Sequence, residues 1–176
     1  MAQIARAAGV GERTFYRYFG SKEDLLAGRA LAWVERLHDA IRARPADEGP
    51  YQALAHAMSA VTAELARAEP GYEAWILAAP RPLAPLRRVE PRPMRRLEQS
   101  VAEAILARLD TAPPGGVPAG RTPAAEFDAQ LLARVAVAVL RTAIVHRRTH
   151  PGRDDAGIER LLGDAFTRLS ALAGPD

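Results

Sequence analysis

Within nine positions of the N-terminal quarter the chain sets a hydroxyl, two phenols, a guanidinium and an ammonium: Thr14, Tyr16, Arg17, Tyr18 and Lys22. Donors and cations of this kind hold anionic oxygen; by themselves they neither make nor break covalent bonds. Taken one at a time, Tyr16 and Tyr18 also read as half-buried packing residues and Arg17 as a solvated charge. Two other groupings invite a catalytic reading. His146 and His150 stand four apart near a helix end, as two metal ligands can. No Glu lies between them, Pro151 ends the helix there, and Arg147 and Arg148 repel a cation, so placement on the helix dipole explains them better. Gly115-Gly116 lacks the Lys and the helix start of a phosphate loop. The absence of Cys excludes disulfides, thiol nucleophiles and thiolate metal sites. No nucleophile–base set stands out. The expectation is no enzyme, no catalytic residues, no metal and no cofactor.

The elements that must position these groups are helical. Leu26, Ala30, Trp33, Val34, Leu37 and Ile41 recur at three-to-four spacing, as do Leu54, Met58, Val61 and Leu65, and then Leu97, Val101, Ile105 and Leu109. Leu132, Val135, Val139, Leu140 and Ile144 follow, and finally Ile158, Leu161, Leu162, Ala165, Phe166, Leu169 and Leu172. No stretch alternates with period two for long, so the fold class is all-α. At 176 residues there is room for one sizeable core, or one core and a small satellite. No apolar run approaches the ~20 residues of a membrane span, and the start lacks signal-peptide order. The expected address is the cytoplasm, with no membrane partner.

Charge is unevenly placed. The basic residues are 23 Arg and one Lys, a bias that reflects coding-DNA composition rather than binding. Residues 1–44 hold eight Lys and Arg against five Asp and Glu, whereas 45–176 hold sixteen of each, so the net +3 lies wholly in the first region. That suits a nucleic-acid-facing N-terminus.

Punctuation divides the chain further. Gln3–Ala8 reads as a short helix, Gly9-Val10 as a tight turn in which Gly supplies positive φ, and Glu12–Phe19 as a second short helix with Phe15 and Phe19 inward. Two short helices on a Gly turn, polar groups outward, are a helix-turn-helix design. Ser21 begins a capping box, Pro45, Gly49 and Pro50 break the next helix, and Thr122-Pro123 opens a run to about Arg148. Asp154 or Asp155 caps the last helix and Gly174-Pro175 stops it. Ala79–Pro93, with five prolines, and Asp110–Pro123 read as irregular.

The run I-A-x-x-A-G-V-x-x-x-T-x-Y-x-Y-F-x-S-K-E-x-L-L, from Ile4 to Leu26, resembles the DNA-binding signature of TetR-family regulators. About a dozen positions are fixed at once. The variant Arg13–Phe19, with Ala-Arg-Pro-Ala-Asp-Glu at 43–48, resembles a branch sensing acyl-CoA-like ligands. The resemblance implies that Gly11, Glu12, Arg13 and Thr14 start the recognition helix in the major groove. Tyr16 and Arg17 would then reach base edges or phosphates, Tyr18 and Lys22 would anchor phosphates, and Gln3 would sit over the backbone. Glu12 would repel phosphate unless it accepts from a cytosine amino group. Family members carry a further helix before this motif, whereas Met1 falls in the first turn of the helix holding Ile4. The expectation is a reader short of its first helix, through a short gene start or a real loss, with Ile4, Ala8 and Phe15 less covered.

The expected division is a helix-turn-helix region with its connecting helix over 1–44 and a helical ligand-binding and dimerisation domain over 45–176. The last two long helices are apolar on more than one side, and a helix like that needs two partners. The resemblance supplies the second: a copy of the chain, joined in a four-helix bundle with Leu140, Ile144, Leu162 and Phe166 at the seam; the alternative is a helix buried wholly inside its own domain. The middle helices would enclose a ligand pocket walled by Leu54, Met58, Trp75, Ile76 and Phe127. Arg81, Arg87, Arg88, Arg92, Arg95 and Arg96, against Glu90 alone, form either a solvated surface or a pocket mouth that draws in an anionic headgroup. The implied function is a ligand-responsive regulator, most readily a repressor, that binds a palindromic double-stranded DNA operator as a homodimer and answers to a hydrophobic or acyl-like inducer, whether the ligand releases or promotes DNA binding. The alternative is a truncated paralogue that binds ligand or heterodimerises without gripping DNA.

Overall fold

The computed structural model describes residues 6, 9, 11, 13, 14, 22–78, 92–110, 122–150 and 157–172, and among these the side chains of all but 22–28, 78, 92 and 93. Every regular element among the described residues is helical, as the periodicity predicts. The long helices are α1 (Lys22–Arg42), α2 (Pro50–Ala68), α3 (Tyr72–Ala78), α4 (Arg92–Leu109), α5 (Pro123–Thr149) and α6 (Ile158–Leu172). The expected cap at Ser21, the Asp154/Asp155 cap, Arg81, Arg87, Arg88 and the stretch 111–121 lie outside the described residues. The Pro-rich segment is shorter than expected, because α4 takes up Arg92 and Pro93. Proline at a helix start has no backbone hydrogen bond to lose.

Local chemistry sets the helix ends. Thr122 accepts from the Ala125 amide at 3.1 Å through its hydroxyl, and Pro123 takes the first helical position of α5, as read from the sequence. Gly49 and Pro50 open α2 in the same order, without a side-chain cap. The loop between α1 and α2 is held from a distance. Arg108, at the end of α4, donates to the carbonyls of Ile41 (3.2 Å), Arg44 (2.8 Å), Pro45 (2.7 Å) and Glu48 (2.9 Å). One guanidinium thus satisfies carbonyls that the end of α1 leaves without intrahelical donors. Beside it Arg44 grips both Glu48 carboxylate oxygens through Nε and one terminal nitrogen, which with His56 holds the Glu48 carboxyl down to about 2.

Helix α1 lies along α4, α4 along α5, and α2 bridges α1 and α6, while α5 also packs on α6. One apolar cluster runs through all six helices, with Leu37, Ile41, Leu54, Met58, Leu97, Ile105, Ile158 and Leu162 among its fully buried members. The core therefore ignores a boundary at 44/45. Trp33, Val34, Leu37 and Ile41 of α1 pack inside the body, because one continuous amphipathic helix enters it. Between α1 and α4, His38 lies with Nδ1 3.1 Å from the Ser100 carbonyl. The Ser100 hydroxyl lies 3.3 Å from the same nitrogen, so one residue of α4 meets the ring through both its carbonyl and its side chain. Outer ties are ionic: Arg134 to Glu98 (3.2 Å) joins α5 to α4, and Arg147 to Glu73 (2.6 Å) joins α5 to α3.

Helix α5 is long and apolar enough to cross a membrane by length and composition alone, although polar residues interrupt its apolar runs. Its inner face, Ala129, Ala133, Ala136, Val137, Leu140, Ala143 and Ile144, is packed in the core, so its apolarity has a structural use within the fold. This packing corrects the expected seam. Leu140 is 7% exposed, Ile144 9%, Leu162 0% and Phe166 3%, which leaves almost no surface for a second chain. Each helix has two apolar stripes, and the expectation had chosen the inner one. The outer one shows Phe127, Leu131, Leu169 and Leu172 to solvent.

Candidate functional site

At the N-terminal end the chain path matches the predicted turn where it is described. Arg6 is helical, Gly9 has φ +67°, and Arg13 and Thr14 are helical again. The Gly9 amide donates to the Arg6 carbonyl at 3.1 Å, which makes a turn at Gly9. A Cβ at Gly9 would meet nothing within 4 Å. The requirement for glycine there is thus the left-handed backbone, not space.

Of the nine residues expected to face DNA, Gly11 and Arg13 are exposed and Thr14 is half-buried. Lys22 is the first residue of α1, with its backbone alone described. Gln3, Glu12, Tyr16, Arg17 and Tyr18 lie outside the described residues, as do Ile4, Ala8, Phe15 and Phe19.

Seven residues beyond Lys22, α1 meets a cleft of about 70 Å³ at its junction with α2 and α3. Gly71, at φ +86°, turns the chain sharply after α2. The turn lays Tyr72 and Trp75 over α1, opposite Trp33 and Arg36. Arg29 spans the mouth: its guanidinium sits 4.9 Å from the Trp75 ring centroid and pairs with Glu69. Tyr72 and Trp75 lie tilted at 5.7 Å between centroids. Burial, reinforced by the Glu69 charge, pushes the Tyr72 phenol far above its ordinary value, so it remains a neutral donor. Both indole N–H groups, on Trp33 and Trp75, are buried without an acceptor. Leaving such a donor unsatisfied costs about 1–3 kcal/mol. Both belong to residues that line the cleft, although neither nitrogen is reached by solvent.

The expected pocket wall holds only in part. Trp75 lines the cleft, but Leu54 and Met58 are 0% exposed within the core, and Ile76 is buried beside them. Phe127 is 66% exposed near the start of α5 and does not line this cleft. Sequence reasoning missed Arg29, Trp33, Arg36 and Tyr72 as neighbours of Trp75. The signal available was Pro70-Gly71, a turn dipeptide that reverses the chain straight after α2. No group of three or more potential metal ligands occurs among the described residues.

Residues 1–28 match the family described as bacterial regulatory proteins, tetR family. A stretch of 59 residues is 44% identical to the HTH-type transcriptional regulator TcmR of Streptomyces glaucescens. It amounts to 34% of this chain and 26% of that relative, so the match spans about a quarter of the relative's length. Both similarities are to regulators of transcription and neither is to an enzyme.

Proposed function

We propose that the chain is a transcription regulator of the TetR type: it grips double-stranded DNA through its first 28 residues and answers to a small molecule through the helical body. The observation that carries this reading is a glycine in the left-handed region between two helical segments, inside the stretch that matches the tetR family. The basic surplus of the chain lies within residues 1–44, which begin with the matched stretch. Steering toward a polyanion needs that sign of charge. In this reading Gly11, Glu12, Arg13 and Thr14 enter the major groove. Tyr16, Tyr18 and Lys22 anchor phosphates, Arg17 reads a base edge, and Gln3 rests on the backbone. The division is then a reader ending early in α1 and a body that begins in the same helix.

The active species is a homodimer, and its seam is the outer face of α5 and α6. Phe127 (66% exposed), Leu131 (50%), Leu169 (37%) and Leu172 (84%) support this placement. Fully burying a side chain of that size contributes roughly 1.5–3 kcal/mol, so leaving four in water is unfavourable. A two-fold dimer implies an operator with an inverted repeat. Repression, relieved by an apolar or acyl-like inducer, and a cytoplasmic address complete the proposal.

The test is a titration of DNA from upstream of the gene, followed by fluorescence anisotropy at several salt concentrations. Tyr16→Ala and Lys22→Ala should each weaken binding to every sequence, and each should lower the salt slope by about one. Arg17→Ala should relax base preference instead. Three variants that bind like the wild type would sink these residue roles.

A further inference from the structure

At the end of α5 the sequence sets His146 and His150 one helical turn apart, with Arg147 and Arg148 between them as charges that oppose a metal ion. The fold draws both guanidinium groups onto α3. Arg147 pairs with the Glu73 carboxylate at 2.6 Å, and Arg148 donates to the Ile76 carbonyl at 3.3 Å. The two histidines keep the spacing of a helical turn, because the His150 amide donates to the His146 carbonyl at 3.0 Å. His146 is exposed and His150 half-buried, and their rings stack with centroids 4.6 Å apart and planes 27° from parallel. Two imidazoles so placed form a two-nitrogen chelate. The His150 Nδ1 also lies 3.1 Å from the His146 carbonyl and 2.9 Å from the Thr149 hydroxyl. With its proton on Nδ1 the ring gives that carbonyl a second donor and turns the lone pair of Nε2 to a metal, the usual backing of a ligating histidine. Helix α5 terminates here, and the macrodipole favours positive charge at a helix C-terminus.

We propose that His146 and His150 bind a divalent transition metal of the imidazole-preferring class, such as nickel or zinc, through one ring nitrogen each. Nitrogen donors suit these ions and not magnesium or calcium, which take oxygen. No group of three potential ligands occurs among the described residues, so water fills the other positions and the affinity is that of a chelate, weaker than a closed structural site. The bound metal closes a ring across the last turn of α5. That turn also carries both ties to α3, so occupancy fixes the end of α5 and the docking of α3 together.

Calorimetric titration of the whole, untagged chain with nickel ion tests the site. One ion should bind per chain. His146→Gln and His150→Gln should each weaken it at least about tenfold, because a lone imidazole loses the advantage of a second, linked ligand. His56→Gln removes an exposed histidine beside Glu48 and should change nothing. Magnesium in about hundredfold excess should not compete, which separates an imidazole site from simple attraction to the helix end. His146 is exposed, so its variant keeps the test clear of any folding loss at the His150 cap. Thermal unfolding gives a second readout: nickel should raise the Tm of the wild type and leave that of His146→Gln where it was. Undiminished binding in His146→Gln, an equal loss in His56→Gln, displacement by magnesium, or neither heat nor a Tm shift at millimolar nickel overturns the proposal and leaves the pair to the helix dipole.

Discussion

At the scale of single residues, Arg108 binds four backbone carbonyls with one guanidinium. It reaches them across a gap in sequence of some sixty residues, and no periodicity marks it, since only the folded loop brings those carbonyls together. Arg108→Met keeps the aliphatic stem and removes the donors. It should cost roughly 1–3 kcal/mol in urea unfolding, with carbonyls at the end of α1 left to water; a loss below the error of the measurement would show the clamp to be ornamental. Glu48 gives a pH-dependent companion. Its carboxyl is held at about 2, first by the Arg44 hydrogen bond and then by His56. A depressed carboxyl stabilises the fold above its unfolded value of about 4.3, and that contribution is lost as pH falls toward the folded value. The stability gap between wild type and Glu48→Gln should therefore be full at neutral pH and close between about pH 4.3 and 2. A gap that stays constant over that range would remove the pairing from the account. Trp33 shows the limit of legibility at this scale. The sequence placed it correctly on the inner stripe of α1, but its orphan N–H depends on neighbours from α2 and α3.

At the scale of elements, most of what could be read was read from punctuation. The Thr122 cap and the left-handed Gly9 are both local, so a few residues carry all the information they need. Thr122→Ala should cost α5 about 1 kcal/mol in thermal unfolding. Gly9→Ala should cost about 1–2 kcal/mol of the reader's own order. It should weaken DNA binding and leave the melt of the body unchanged, which circular dichroism and anisotropy on one preparation can separate. The two stripes of α5 were not legible in this way. Leu131 and Leu140 are equally apolar, and the sequence offers no reason to turn one out and the other in. What decides is the line of Ala129, Ala133, Ala136 and Ala143, all buried. Small residues let α4 and α6 approach closely, so the face that looks weakest in hydrophobic terms is the inner one. The missed α3 has the same origin. Seven residues are too few for a periodic signal, and their place follows from the Gly71 turn.

At the scale of the molecule, the exposed stripe makes the proposed dimer testable by contrast. Leu131→Arg places a charge where the side chain is 50% exposed, and should dissociate the dimer while the chain keeps its melt. Leu162→Arg places the same charge at 0% exposure, and should cost several kcal/mol and abolish the fold, because no partner there can offset a buried ion. Sedimentation and thermal melts distinguish the two, and an unchanged dimer in Leu131→Arg would return the seam to another face. The helix joining reader to body has a geometrical consequence of its own. Helix α1 runs without a break through 21 residues, from the matched segment to the core around Ile41. A continuous helix is a screw: removing one residue near Ala30 turns everything before it by about 100° and draws it in by about 1.5 Å. Such a deletion should abolish specific binding without touching the reader or the core. Adding seven residues completes nearly two turns, restores the orientation to within about 20°, and sets the reader about 10 Å further along the axis. The lengthened chain should bind DNA again, and should now prefer half-sites with a different separation.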